Sequence, residues 1–302
     1  MAERRRSTIL TIVVLLVIFG GGVFIAGRVL LNLDGPVIRG NRVAVVPLVE
    51  IIGPGVERKF VGHLREFERS SAVRAFVVEI RSPGGTVGAS QSIYSAIRDL
   101  RENDDRPVIA WIGDVGASGG YYAALGADSI FALPGSITGS IGVIMEFPNA
   151  EELMQKVGIG LEVVKSGPYK DTGSPARPIS EEERAVLQSV VDDVYGQFVS
   201  AVVENRPLDE EEARAAADGR IYSGAQAADL DLLDGLATLS EAINIAGEMA
   251  GLGKDPETVR PRERRVGLMD LLSGISEARL REWFGGFLPQ TASPRLLYQW
   301  MP

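Results

Sequence analysis

Beyond residue 42 the chain alternates between two textures. Short runs rich in Val and Ile take turns with longer, more polar stretches whose apolar residues recur at helical spacing. Residues 42–52, 74–80 (RAFVVEI) and 107–112 are strand-like. Between them, residues 56–69 place Val61, Leu64 and Phe67 on one helical face, and residues 87–100 form a second helix pattern. Neighbouring parallel strands need a long crossover, so strands separated by helices imply a parallel sheet covered by helices. The expected class is therefore α/β. The same reading predicts a helix over 118–125, strands over 129–132 and 141–146, a helix over 150–157 and a strand over 161–164.

A long helix is expected to start at Ser180. Glu183 stands three residues on, where its carboxylate can cap the backbone in return for the serine's cap. Leu187, Val190, Val191, Val194, Phe198 and Val202 follow the 3.6-residue period, which predicts one buried face, and Pro207 stops the helix. Asp209 with Glu212 opens another short helix in the same way.

The two ends differ from this body. Residues 9–26 carry no charge, and as a helix they would span about 27 Å, near the thickness of a hydrocarbon core. Arg4, Arg5 and Arg6 precede the run. A single-pass anchor, a cleaved signal peptide and a buried core helix are the three readings open to it. The arginines and the terminal position favour the anchor, over residues 1–28, with the amino terminus cytoplasmic and the rest of the chain outside the cytoplasm. Residues 29–41 read as a linker, residues 42–250 as the main domain, and residues 251–302 as an appendage expected to pack on a neighbour or on the membrane surface.

Several chemistries are excluded at once. The chain has no cysteine, which removes thiol nucleophiles, disulfides and cysteine-bound metals, and its single histidine, His63, cannot build a multi-histidine metal site. No metal and no cofactor is expected. The net charge is −9, and no basic cluster in the body of the chain offers a surface for nucleic acid.

What remains is serine chemistry. The segment Gly-Ala-Ser-Gly-Gly at 116–120 comes after the strand-like VIAWIG and precedes a helix. Such a turn puts Ser118 at the carboxyl edge of a sheet, beside the unsatisfied N–H groups of a helix start, where a developing anion is stabilised. An ordinary N-cap role is the alternative. The spacing also fits the nucleophile elbow of α/β-hydrolases, but that arrangement needs a histidine after the serine, and His63 comes before it. A serine without histidine needs another base, and lysine serves when its surroundings lower its pKa. Of the five lysines, Lys59, Lys156 and Lys254 sit in polar surface contexts, whereas Lys170 lies in a Gly/Pro-rich loop after an expected strand. The Ser-Pro-Gly-Gly turn at 82–85 can supply backbone N–H groups, and Ser140 in Thr-Gly-Ser-Ile-Gly at 138–142 can orient an amine.

Taken together, SPGG, ASGGYY, TGSIGV and the lysine-bearing SG-x-x-KD-x-x-SP-like loop, in this order and spacing, resemble the signal peptide peptidase A family. These are membrane-anchored Ser/Lys proteases of the Clp-protease/crotonase superfamily. The resemblance covers residues 42–250 and includes the later segment GRIYSGAQAA at 219–228. It implies a spiral of ββα units behind an N-terminal transmembrane helix, and assembly into rings or domes of identical subunits. It implies Ser118 as nucleophile, Lys170 as general base, Ser140 as the residue that orients the lysine, and the N–H groups of Gly119 and Gly85, with Gly84 the neighbouring possibility, as oxyanion donors. Substrates would be remnant signal peptides and other extended peptides. Asp231 stands where the family has a glycine, a position Asp tolerates better than most residues. Two alternatives are a crotonase-like acyl-CoA enzyme and a non-catalytic, membrane-tethered ring scaffold.

Overall fold

The apolar runs form the strands expected of them. In the computed structural model, which describes residues 40–262 and 297–299, β1 is Arg42–Val49, β2 is Val73–Ser82 and β4 is Val108–Ala117. They lie parallel in the order β4–β2–β1, with β9 (Thr258–Val259) beyond β1. Side chains alternate across a strand, and here both faces are covered. Val43, Val45, Ala75, Val77, Ile109 and Trp111 pack against Ala242 and Ala246 of α8 (Leu239–Met249). The alternate residues Ala44, Val46, Phe76, Val78, Ala110 and Ile112 are just as buried, on the side covered by α1 (Pro54–Glu68), α2 (Val87–Asn103) and α3 (Gly119–Ala124). These elements belong to the unit Asn41–Pro302.

β4 carries the decisive irregularity. Along its pairing with β2, one strand advances from Ile80 to Ser82 while the other advances from Ile112 to Gly116. Extra residues in one strand bend it and redirect the chain beyond them. The first half of β4 pairs with β5 (Ser129–Ala132), through Ile109↔Ser129 to Ile112↔Ala132. The second half pairs with β6 (Ile137–Gly139), through Val115↔Ile137 to Ala117↔Gly139. The strand thus forks the sheet, and residue 118 leaves it at the fork. β7 (Ile221–Ser223) runs antiparallel on β6, and β8 (Gly235–Leu236) parallel on β5. Two further strands form a separate pair: β10 (Leu297–Gln299) lies antiparallel on β3 (Gly84–Thr86).

Three local expectations need correction. Residues 141–146 and 161–164 are irregular rather than extended, and the strand of that region is β6, just before Ser140. Backbone at Ser140 has φ of +50°, which breaks a strand there. The long helix is α5 (Glu181–Asn205), with the reciprocal Ser180–Glu183 cap in place. Its buried apolar residues, Val194, Phe198, Val199, Ala201 and Val202, all lie in its second half, while Val186 and Val190 are exposed. Its period describes a face that the described residues cover only in part. The shorter helices are α4 (Glu151–Lys156), α6 (Glu210–Ala216) and α7 (Gly224–Asp229), and α6 has the expected Asp209–Glu212 cap.

The expected anchor at 9–26 and the linker at 29–39 lie outside the described residues, as does 263–296 of the appendage. No described helix is long and apolar enough to cross a membrane. The described part of the appendage packs on the chain's own domain, as β9 and β10.

Candidate active site

Ser118 stands between the end of β4 and the start of α3. Its φ is +50° and its ψ −117°, a conformation that non-glycine residues rarely adopt. Its side chain does not cap the helix, so the N-cap alternative fails. The strained turn is held from both sides: the Ser118 N–H donates to the Gly139 carbonyl at 2.7 Å, and its own carbonyl accepts from the Tyr122 N–H at 2.8 Å. Thr138 Oγ1 donates to the Gly116 carbonyl at 2.8 Å and ties β6 to the same turn. The residue is 1% exposed, at the wall of a cleft of about 400 Å³.

Ser140 lines that cleft as well, so the structure brings these two serines together. The Ser140 N–H donates to the Arg220 carbonyl at 2.8 Å, which fixes the left-handed turn behind it. Val143, Val191, Tyr195 and Asp218 form more of the wall. Val191 and Tyr195 come from the middle of α5, where sequence periodicity assigned Val191 to a buried face. No local signal marks them as cleft residues.

Three glycines meet where α3 starts. Gly84 has φ of +97°, and a Cβ added there would stand 2.7 Å from the Gly119 nitrogen. A Cβ added to Gly119 would stand 3.2 Å from the Gly85 nitrogen. Three backbones therefore approach as closely as only glycine allows. The Gly84 N–H is taken up by Ser82 Oγ at 3.2 Å, while Ser82 Oγ donates to the Glu50 carbonyl at 2.6 Å. Of the two neighbouring possibilities, Gly85 is thus the better placed to serve with Gly119. The turn is anchored by Ile52, whose N–H donates to the Gly84 carbonyl and whose carbonyl accepts from the Thr86 N–H, both at 2.8 Å.

Lys170 lies elsewhere on the same chain. It is exposed, on the turn after residue 167, and does not line the Ser118 cleft. That turn is nonetheless firmly built. Arg177 donates to Asp171 at 2.8 Å and to Glu183 at 2.5 Å, Lys165 donates to Asp171 at 2.6 Å, and Thr172 Oγ1 donates to Glu183 at 2.9 Å. The Arg177 guanidinium, with the Ser180 N–H, holds the Glu183 carboxyl down at about 2. Arg177 and then Lys165 depress Asp171 in the same way. The loop bearing Lys170 is thereby pinned to the start of α5.

His63 takes no part in the cleft. It lies on α1, half-buried, beside Lys59, Arg81 and Arg260 around a different depression. Burial, and then the Lys59 ammonium, lower its pKa. Among the described residues no group of three or more His, Asp or Glu is placed to hold a metal ion.

A buried serine on a strained strand-to-helix turn, at the fork of a parallel sheet and next to closely packed glycine backbones, defines a hydrolase of the serine-nucleophile class. Comparison with known proteins narrows it. The model of peptidase family S49 matches residues 101–253, a stretch that includes Ser118, Ser140 and Lys170. The chain is 43% identical over 270 residues to a protease-named protein of Synechocystis, covering 86% of this chain and 96% of that one. It is 32% identical over 240 residues to an Enterococcus faecium protein named as a signal peptide peptidase, covering 80% and 68% respectively. It is 32% identical over 226 residues to a chloroplastic serine protease of Arabidopsis thaliana, covering 74% of this chain and 33% of that one. The chain belongs to peptidase family S49, the signal peptide peptidase A family, and is a serine protease. The acyl-CoA and scaffold alternatives are set aside by that membership.

Proposed function

We propose that the protein is a membrane-anchored endopeptidase that cleaves remnant signal peptides and other extended peptides with a Ser118–Lys170 dyad. The observation that carries the reading is the geometry at Ser118. Ser118 is strained and nearly buried, Gly119 follows it in the chain and is packed against the Gly84–Gly85 backbone, and Ser140 shares its cleft. Strain of this kind persists only where surrounding structure enforces it, and it clusters at reacting groups.

In this mechanism Lys170, as a neutral amine, takes the proton from Ser118 Oγ while that oxygen attacks the peptide carbonyl. The N–H groups of Gly119 and Gly85 hold the resulting oxyanion. Lys170 returns the proton to the leaving amine as the C–N bond breaks. Water then attacks the acyl-serine ester, releasing the acid and restoring Ser118. Ser140 orients the amine.

The dyad is completed between copies of the chain. Lys170 is exposed on its own subunit, and the segment that carries it presents Leu153, Val157, Ile159, Leu161 and Val164 to solvent. Contiguous apolar surface of this kind marks an interface. Packing against a second copy would bury the segment, and burial lowers the pKa of an ammonium toward the range a general base needs. The uncharged run 9–26 behind three arginines supports a domain outside the cytoplasm, tethered where signal peptides are released.

The test uses full-length protein in detergent micelles with an internally quenched peptide. Ser118→Ala and Lys170→Ala each abolish cleavage while circular dichroism stays unchanged. Mixing the two inactive variants restores activity, because a mixed assembly contains intact Ser118–Lys170 pairs. Full activity in Lys170→Ala would remove the dyad, and failure of mixing to restore cleavage would put both groups in one subunit.

A further inference from the structure

His63 and its neighbours have no part in the mechanism above. The face of the sheet that packs on α8 at Val45 and Val77 runs on to Pro47, Val49, Glu79 and Arg81, toward the carboxyl ends of β1 and β2. With Lys59 and His63 of α1, and with residues 260–262 beyond β9, these four residues line a depression of about 790 Å³. Its lining shares no residue with the Ser118 cleft. Ligands of open α/β sheets gather outside the carboxyl ends of the strands, which is where this depression lies.

The chain as a whole carries a net charge of −9. Here Lys59, Arg81, Arg260 and Arg262 bring four positive charges to the lining against a single carboxylate, Glu79. Glu79 is buried, and two guanidinium groups share it: Arg81 Nε donates to it at 3.0 Å and Arg260 Nη1 at 2.6 Å. One carboxylate can orient both arginines, but it neutralises only one charge. Arg81 is held further by Asp114, an exposed residue to which its Nη1 donates at 3.0 Å, and by Trp111, with the guanidinium carbon 5.4 Å from the ring centroid. Its Nη2 makes no bond among the described residues. Lys59 and Arg262 are exposed, and His63 adds a ring N–H.

We propose that this depression is a binding site for a phosphate group, separate from the catalytic cleft and independent of the protease reading. Guanidinium groups present N–H donors in a fixed plane that matches phosphate oxygens two at a time, and the shared Glu79 sets Arg81 and Arg260 in place before a ligand arrives. A phosphate monoester carries a charge of about −1.5 to −2 and three acceptor oxygens, which suits the surplus of positive charge better than a single carboxylate does. Pro47, Val49 and Pro261 add an apolar wall against which the carbon end of an ester can lie. The residues come from β1, α1, β2 and the segment after β9, so no run along the chain marks the site. The parallel pairing of β9 with β1 is what brings Arg260 and Arg262 to it.

Full-length protein in dodecyl maltoside micelles is titrated in a calorimeter with inorganic phosphate and with dihexanoyl phosphatidic acid. Dihexanoyl phosphatidylcholine controls for uptake into the micelle, and glutarate for binding of carboxylates. Saturable binding of either phosphate ligand beyond the phosphatidylcholine heat is the expected result. Phosphatidic acid bound about tenfold tighter than phosphate, through its apolar contacts, would make a lipid headgroup the source, and equal affinities would make it the free anion. Lys59→Gln combined with Arg262→Gln should weaken binding at least about tenfold, since both charged donors are lost. These two residues are exposed and lie away from the Ser118 cleft, so Tm and the cleavage rate on a quenched peptide should stay at native values. Ser118→Ala should bind phosphate as the native chain does, so the outcome is read apart from the protease mechanism. No binding of either phosphate ligand, binding undiminished in the double variant, or glutarate bound as tightly as phosphate would each overturn the proposal.

Discussion

Gly119→Ala is the sharpest test of the oxyanion geometry. Gly119 opens α3 with helical backbone, so alanine adds no conformational strain, only a methyl group. That methyl would stand 2.4 Å from Ser90 Oγ, 3.0 Å from the Tyr298 carbonyl and 3.2 Å from the Gly85 nitrogen. The first contact is about 1 Å too short for carbon against oxygen. Ser90 Oγ now donates to the Thr86 carbonyl at 3.0 Å, and turning it away loses that bond, a cost of about 1 kcal/mol. For a domain of this size that amounts to a fall in Tm of roughly 2–4 °C. In the proposed mechanism the other two contacts lie where the substrate carbonyl would sit, between Gly119 and Gly85. Displacing one oxyanion donor costs about 10²–10³ in kcat, so kcat/KM on a quenched peptide should fall by that factor. Adding Ser90→Ala separates the two effects. It removes the clashing oxygen and should restore Tm, while activity stays low because the contacts at 3.0 and 3.2 Å remain. If the double variant regains full activity, the loss came from a shifted helix and Gly119 is no oxyanion donor. If Gly119→Ala alone is fully active, the site is wrongly placed.

Single residues outside the cleft give two more expected outcomes. The Glu183 carboxyl sits at about 2, chiefly through Arg177, against an ordinary 4.5, so its contribution to stability is present above pH 4.5 and is lost as the pH falls toward 2. Tm measured from pH 6 to 2.5 should therefore drop more steeply in the native chain than in Arg177→Met, and parallel curves would show that the Arg177 network does not hold the Lys170 loop. Asp231 has φ of +55° and, among the described residues, offers only its backbone to its neighbours, its N–H to the Ala228 carbonyl and its carbonyl to Arg206 Nε. Asp231→Gly removes the left-handed strain and should raise unfolding free energy by roughly 0.5 kcal/mol in denaturant titration, the unfolded-state entropy of glycine taking back part of the gain; a loss of stability would mean that the aspartate side chain contributes what the distances do not show.

The sequence carried the elements whose causes are local. Alternation of RAFVVEI-like runs with amphipathic stretches produced the parallel sheet of β1, β2 and β4 and the helices over it. Ser180 with Glu183 and Asp209 with Glu212 marked helix starts, because a cap is a contact between residues three apart. The small residues around Ser118 announced a tight strand-to-helix turn for the same reason. The left-handed backbone at Asp231 was legible only through the resemblance, because the family has a glycine at that position. The tertiary structure decided what local period cannot hold. The fork in β4 depends on a bulge against β2 and on two partners, β5 and β6, competing for one strand. The exposure of Val186 and Val190 depends on which neighbours reach α5, not on its spacing. Pairing β10 with the glycine strand joins residues from opposite ends of the domain, and no periodicity encodes a partner that far away. A pattern of apolar residues states that a face must be covered; only the closed chain states by what.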